Sequence, residues 1–311
     1  MRMIRTLSVT AALLIGLTAC SSAPVESAPA DAAAGDVDEG PQRIVALSSD
    51  AAIALHELGL TDRIVAVPAS AQNASLNPYA DDMADIENVI PGDTSPEPEQ
   101  VLAWSPDLVV VTARHTGEQD AAELLEATDV PVLTLTNGWS TSDAVIENLQ
   151  LIGEATGAEG AADELVAEIE AGLDDVRAAS AEAEETPSVA ILSNQAAAPF
   201  INASSSLVSE LVTNGGGTNV ADEIGVAQTM PIQPEQLVAA DPDTIMLVDV
   251  TGKGESSFDE ILANPAVAAL PAVQEGRVQM FMGREVYALA GREVVSGSAA
   301  VLAWLHPELA E

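Results

Sequence analysis

The chain has 311 residues, and 48% of them are hydrophobic, which is enough for one large core or two ordinary ones. It carries 49 acidic residues against 10 basic ones, and Lys253 is its only lysine, so the formal net charge is -39. This charge argues against nucleic acid as a partner, because a protein that binds a polyanion needs a basic surface, and it suits a protein dissolved in a salty extracellular medium. The single cysteine, Cys20, excludes an internal disulfide framework and any site built from several cysteines.

The first residues have the pattern of an export signal. Two arginines precede an apolar stretch, Leu7–Leu17, and small residues then lead to Cys20, as in a lipobox. The apolar stretch is too short to span a bilayer permanently, so we predict that residues 1–19 are a cleaved signal peptide and that the Cys20 thiol is acylated. A plain signal peptide before an incidental cysteine is the alternative. Residues 20–42, rich in Ser, Ala, Pro, Asp and Gly, predict a flexible tether to the extracytoplasmic face of the cell membrane.

Residues 43–141 are predicted to form an N-terminal α/β lobe. Short β-branched runs alternate with helical patterns that begin at capping residues and end near glycine. The predicted elements are a strand at 43–47, a helix at 51–58, a strand at 63–67, a helix at 98–104, a strand at 107–112, a helix at 119–127 and a strand at 130–135. Strand, helix and strand within about 25 residues make a βαβ unit, which predicts a parallel sheet covered on both faces.

Residues 142–186 are predicted to link this lobe to a second one. They contain no strand pattern and are rich in helix formers, and an apolar face recurs at spacings of four and three, formed by Leu165, Ile169, Leu173 and Val176. A single helix of about 24 residues from Ala162 would span ~36 Å and would permit only a small rocking of the lobes. The alternative is a long interdomain helix that has no role in lobe motion.

Residues 187–311 are predicted to form a second lobe that repeats the first. A strand at 188–192 and a helix at 206–213 begin it. The segment from Pro98 to Val111 aligns with the segment from Pro234 to Leu247 at an offset of 136 residues, with Pro-Glu-Gln, an alanine and Pro-Asp in register. The fold class we predict is therefore α/β, with two Rossmann-like lobes joined by a single long α-helix and a ligand cleft between the lobes.

These features together resemble the substrate-binding lipoproteins of ABC importers, in the subtype that serves iron siderophores, haem and cobalamin. The resemblance covers residues 43–307. The matching pieces, besides the paired segments, are Arg43-Ile-Val-Ala-Leu47, Leu58-Gly-Leu60, Leu207 to Asn219 with its Gly-Gly-Gly-Thr-Asn, Ile261-Leu-Ala-Asn-Pro265 and Gly276-Arg-Val278. The resemblance implies a monomer that captures its ligand, delivers it to a permease dimer with a separate ATPase, performs no catalysis and holds no resident cofactor.

In that family one surface glutamate on each lobe docks on the permease, and the resemblance implies Glu99 and Glu235 for this role. Each begins a helix, where the helix dipole favours a carboxylate, and two equivalent charges suit a two-fold partner. The alternative is that both are ordinary N-terminal helix charges.

Ligands of open α/β folds bind beyond the carboxyl ends of the strands, so the loops there supply the candidates. Three of the few arginines and four of the few aromatic residues fall in these loops. The predicted ligand-binding residues are Tyr79, Arg114, His115, Trp139, Phe200, Arg284, Tyr287 and Arg292. Arginines gathered in one cleft of an acidic protein would favour a small anionic metal chelate, because arginine binds carboxylates in bidentate fashion. Local pairing with acidic residues, and burial of the aromatic rings in the core, are the alternatives.

His115 could ligate a haem iron together with a tyrosine, as in some haem-binding members of the family. However, the Tyr-x-Arg-Gly segment of certain haem binders is replaced here by Pro199-Phe-Ile-Asn-Ala203, and a loop histidine is often merely solvated. We predict no other metal ligand, since no cluster of His, Asp and Glu has ligand spacing.

Iron complexes, either a ferric siderophore or haem, are therefore the predicted ligand, and cobalamin is the alternative. A hydrolase lacks support because Gly-x-Ser-x-Gly is absent and the three histidines are scattered. A structural lipoprotein would not explain the repeat.

Overall fold

The computed structural model describes residues 40–91, 96–196 and 198–309. The predicted signal peptide, the acylated Cys20 and nearly all of the tether lie outside these ranges.

The N-terminal lobe is built on a five-stranded parallel sheet with the order β3-β2-β1-β4-β5. Its elements are β1 (Ile44–Ala46), α1 (Ser49–Glu57), β2 (Ile64–Pro68), β3 (Asn88–Ile90), α2 (Pro98–Ala103), β4 (Leu108–Thr112), α3 (Thr116–Glu126) and β5 (Val132–Leu135). The central strands β1 and β4 are wholly buried, which accounts for their continuous apolar sequence. Strand β3 has only three residues and was not among the predicted elements.

The segment between the lobes contains two helices, α4 (Ser142–Thr156) and α5 (Glu159–Ser180). Helix α4 packs on α1 and β5 of the first lobe, and the long helix α5 continues from it to two helices of the second lobe. Gly157 separates α4 from α5 with a φ of 72°, a conformation that glycine adopts without strain and that ends α4. Helix α5 starts three residues before the predicted Ala162 and has 22 residues, so it is about 33 Å long.

The second lobe contains a six-stranded mixed sheet. Its elements are β6 (Ser188–Ser193), β7 (Phe200–Ile201), α6 (Leu207–Asn214), β8 (Thr218–Asn219), β9 (Met230–Pro231), α7 (Pro234–Ala240), β10 (Thr244–Asp249), α8 (Asp259–Leu262), α9 (Pro271–Gln274), β11 (Val278–Met282), α10 (Gly283–Val286) and α11 (Glu293–Leu305). The order is β11-β10-β6-β7-β9, with β8 also beside β6. Strands β7 and β9 pair antiparallel, so this lobe departs from the parallel pattern of the first.

One continuous apolar core joins the lobes through the linking helices. The predicted apolar face of α5 is buried, and Ile169 within it is fully inaccessible and belongs to the same core as residues of both sheets. This packing is the arrangement for which we predict only a small rocking of the lobes.

We expect Ile169→Ala to lower the free energy of unfolding by about 2–5 kcal/mol, because it leaves a cavity where the two lobes meet α5. Urea unfolding followed by circular dichroism measures this loss. The exposed neighbour Glu170 supplies the control, since Glu170→Ala should change stability by less than about 0.5 kcal/mol. Equal changes in the free energy of unfolding for the two variants would contradict the burial of Ile169 in the core.

Candidate functional site

A cleft of about 390 Å³ opens between the lobes, at the carboxyl ends of strands from both sheets. This volume lies in the usual range of small-molecule sites. The lining residues are Ser48, Ser49, Asp50, Ser70, Leu76, Arg114, His115, Glu118, Gly138, Trp139 and Ser140 from the N-terminal lobe, and Gln195, Asn202, Ser206, Leu207, Val208, Thr229, Tyr287 and Ala288 from the second. Each lobe therefore supplies one wall.

Trp139 is held in the cleft wall by a chain of hydroxyl groups. Its indole Nε1 donates to Oγ1 of Thr112 at 3.0 Å, and the Thr112 and Ser48 hydroxyls share a hydrogen bond of 2.9 Å. Ser48 also accepts from the backbone N–H of Ala51 and so caps α1. Trp139 has a φ of 58°, an uncommon value for a residue other than glycine. Residues at or just beyond the ends of β1, β4 and β5 thus hold the Trp139 ring in one position.

Arg114, in the loop that follows β4, is paired with Asp50, the second residue of α1. The Nη2 atom of Arg114 donates to Oδ2 of Asp50, whose side chain is only 10% exposed. Burial disfavours the charge on Arg114, but Asp50, and to a lesser extent Glu118, outweigh this and hold the pKa of the guanidinium above its ordinary value. Arg114 therefore stays charged, and its charge is balanced within the protein.

Glu118, in the first turn of α3, holds the loop that carries Arg114 and His115. Its Oε2 accepts from the backbone N–H of Arg114 at 2.8 Å and of His115 at 2.7 Å, and it lies 3.0 Å from Nδ1 of His115. The His115 side chain is 58% exposed, whereas that of Glu118 is 4% exposed. Nε2 of His115 is left without a hydrogen-bond partner among the described residues.

Tyr287 brings an aromatic ring from the second lobe to the same cleft. It follows α10, and burial raises the pKa of its hydroxyl while Arg114 opposes that shift. The amide of Asn202 lies nearby in the wall and donates to Ile191 O and Ser193 Oγ. Tyr287 therefore faces the cleft as a neutral phenol with an apolar ring.

Four predicted residues come together in the cleft: Arg114, His115, Trp139 and Tyr287. The structure does not bring Tyr79, Phe200, Arg284 or Arg292 into its lining. Phe200 is half-buried on β7, opposite Pro231 of β9.

The two other arginines bridge the lobes outside the cleft. Nη1 of Arg284 donates to the carbonyl of Ala74 at 3.0 Å, and its backbone N–H donates to the carbonyl of Ser75 at 2.9 Å. Arg292 pairs with Glu57 of α1 and with Glu168 of α5. Local pairing, one of the two interpretations open from the sequence, thus describes Arg292.

Tyr79 packs in the same region as Arg292. It stacks on His56 with ring centroids 4.1 Å apart, and its hydroxyl donates to Glu57. The candidate ligand set therefore contracts to the four residues of the cleft.

The sequence reasoning omitted Asp50, Ser49 and Glu118 from the candidate residues. The position of Ser49 and Asp50 directly after the first strand was a usable signal, because the carboxyl end of a central strand borders the ligand site in this fold class. Glu118 follows His115 by three residues, the spacing of a capping box.

Within the described ranges, no group of three or more His, Cys, Asp and Glu residues could hold a metal ion. His115 with its available Nε2 is the cleft residue that could approach a ligand's metal.

The two glutamates implied as docking residues are both exposed. Glu99 is the second residue of α2 and Glu235 the second residue of α7, and each helix begins with proline.

Comparison with known proteins gives a consistent result. A family model described as periplasmic binding protein matches residues 44–281. The uncharacterized ABC transporter substrate-binding lipoprotein YvrC of Bacillus subtilis is 28% identical over 217 residues, which cover 68% of this chain and 65% of the relative. The chain thus spans a little under two thirds of that protein.

Two further curated relatives and a solved structure are similar. The ferric-anguibactin-binding protein FatB of Vibrio anguillarum is 25% identical, covering 84% of this chain and 80% of the relative. A cobalamin-binding protein of Halobacterium salinarum is 27% identical, covering 78% and 62%. The apo form of the periplasmic heme-binding protein RhuT from Roseiflexus sp. RS-1 superimposes with a TM-score of 0.71 at 21% identity, covering 88% of this chain and 100% of that one.

The predicted α/β class with two lobes is confirmed, and so is the family resemblance. In the described part of the chain, no helix combines the length and the apolar character needed to cross a bilayer. Because the family model covers most of the sequence, the chain belongs to the periplasmic binding protein family.

Proposed function

We propose that this protein is the substrate-binding component of an ABC importer and that it captures an organic metal complex, foremost an iron complex such as a ferric siderophore or haem. The observation that carries this proposal is the cleft of about 390 Å³ between the two lobes, lined by aromatic and polar side chains from both. The similarity to FatB, named for ferric anguibactin, and to RhuT, named for heme, supports an iron complex.

Capture requires no chemical change of the ligand. The ligand would bind in the cleft against Tyr287, with the buried Trp139 ring supporting the opposite wall, and a small rocking of the lobes about α4 and α5 would change the surface presented to the membrane. A permease dimer with its ATPase would then receive the ligand. The protein would act as a monomer, held at the extracytoplasmic face of the membrane by a lipid on Cys20.

Cobalamin is the second candidate, and one observation favours it. The cleft arginine, Arg114, is already paired with Asp50, so the cleft lining formed by the described residues offers no unpaired cation for an anionic ligand. The similarity to the cobalamin-binding protein of Halobacterium salinarum supports the same candidate.

Absorption titrations of the purified protein with haem, a ferric siderophore and cyanocobalamin test the proposal. We expect saturable binding of at least one, and we expect Tyr287→Ala to weaken it about tenfold or more, because this substitution removes a half-buried aromatic ring from the cleft wall. Tyr79→Phe, outside the cleft lining, should leave binding unchanged. A Soret shift lost in His115→Ala would assign haem, and no binding of any of the three would contradict the proposal.

A further inference from the structure

The charges in the cleft are paired within the protein. Four charged or titratable side chains line the N-terminal wall: Asp50, Arg114, His115 and Glu118. Arg114 pairs with Asp50, while Glu118 binds two backbone amides and the His115 imidazole. Apart from His115, the two carboxylates of this wall outnumber its one guanidinium.

An anionic ligand would meet unfavourable electrostatics at this wall. To bind Arg114 it would have to displace or lie beside the Asp50 carboxylate, and like charges brought together in a partly buried site repel strongly. The formal charge of -39 on the whole chain adds long-range repulsion.

The same wall offers donors that suit uncharged oxygen atoms. Ser49 lines the cleft and is 8% exposed, and its Oγ, buried just behind the cleft surface, has no hydrogen-bond partner in the described part of the chain. The Nη2 atom of the Arg114 guanidinium donates to Asp50, and the other N–H groups of the guanidinium remain as donors for a ligand. A buried donor without a partner gains most from an acceptor on the ligand, such as an amide or hydroxamate oxygen.

We infer that the cleft selects a metal complex without net negative charge, recognised through neutral acceptor oxygens and an apolar surface, and that Asp50 is the residue that excludes anionic complexes. This inference rests on the proposed function and narrows its ligand class. It reverses the anionic ligand expected from the sequence, because only Arg114 of the three candidate arginines lines the cleft, and Asp50 balances its charge.

A panel of ligands that differ in charge tests the inference. Cyanocobalamin and ferrichrome are uncharged, whereas haem and ferric enterobactin are anionic. We expect the wild-type protein to bind the better uncharged probe at least tenfold more tightly than either anionic one.

The Asp50→Asn variant should bind the anionic probes more tightly, so that the ratio of dissociation constants between anionic and uncharged probes falls at least tenfold. Glu123→Gln makes the same change of charge at an exposed site on α3, and it should leave this ratio of dissociation constants unchanged. Tighter binding of an anion by the wild type, or weaker binding of anions by Asp50→Asn, would overturn the inference.

A second measurement needs no ligand and therefore separates the inference from the proposed function. In a Cys20→Ser background, Gln195→Cys places a single thiol in the cleft. The rates at which cationic, anionic and uncharged methanethiosulfonate reagents modify this thiol report the local electrostatic potential. We expect the cationic reagent to react at least tenfold faster than the anionic one, and Asp50→Asn to reduce this ratio severalfold. At Ala171→Cys, on the exposed side of α5, Asp50→Asn should not change the ratio.

An unchanged ratio in the cleft after Asp50→Asn would refute the role of Asp50. If no ligand of the panel binds, the proposed function fails, and the thiol rates still decide the charge selectivity of the cleft.

Discussion

Reversal of both glutamates, Glu99→Arg with Glu235→Arg, should abolish ligand uptake by cells while the purified protein still binds its ligand. Both side chains are exposed near helix starts, at equivalent positions of the internal repeat, and neither lines the cleft. Two carboxylates of this kind can pair with two equivalent basic sites on a two-fold permease, and reversing them replaces attraction by repulsion. Uptake of labelled ligand in cells that carry the importer measures the effect.

Each single reversal should reduce uptake severalfold, and Glu123→Arg with Glu170→Arg, which change the charge equally at exposed sites elsewhere, should not reduce it. Normal uptake by the double variant would refute docking through these residues. Loss of ligand binding in the same variant would show instead that the lobes had been perturbed.

A buried carboxyl pair between the lobes should make stability depend on pH. Glu293 begins α11, its residue is 7% exposed, and its carboxyl group lies close to the Tyr79 hydroxyl, which donates to Glu57. Glu57, from the end of α1, lies beside it, and Gly291 leaves room for both, since a Cβ there would be 2.6 Å from Cγ of Glu57 and 3.2 Å from Oε2 of Glu293. Burial, together with the charge of Glu57, raises the pKa of Glu293 to about 7.

We expect Glu293→Gln to stabilise the protein above pH 7. The folded state keeps a proton on Glu293 that the unfolded chain releases near pH 4.5, so the free energy of unfolding falls as the pH rises from about 4.5 to about 7. The ionised carboxyl then costs up to about 3 kcal/mol, which a neutral glutamine of similar shape avoids. Urea unfolding at pH 5 and pH 8 measures the difference.

The stabilisation should be several times larger at pH 8 than at pH 5. Glu164→Gln, an exposed charge removal on α5, should show no such pH dependence. A pH-independent effect of Glu293→Gln would mean that Glu293 is ionised throughout this range.

Local sequence signals predicted the longer elements well. Strand β4 and helix α2 depend on contiguous apolar runs and on proline at a helix start, so their ends shift by a residue at most. The two-residue strands β7 and β9 carry too few residues for any periodic pattern, and they exist because each completes the hydrogen bonds of a neighbour. Tertiary pairing, not local propensity, made the second sheet mixed.

The candidate site was predictable in place but only partly in composition. The loops beyond the strands were the right region, because parallel strands bring their carboxyl ends to one edge. The choice among scarce side chains was less reliable: half of the predicted residues reached the cleft, and Arg292 instead met Glu57, 235 residues away in sequence.

Composition and order along the chain already determined the acidic character, the α/β class and the repeated lobes, since these follow from local patterns and from counts of residues. Which cations remain available to a ligand was decided only by the folded arrangement. Asp50 and Arg114 are 64 residues apart and meet because β1 and β4 are neighbours in the sheet. Ion pairing acts over a few ångströms in space and carries no trace in a one-dimensional spacing.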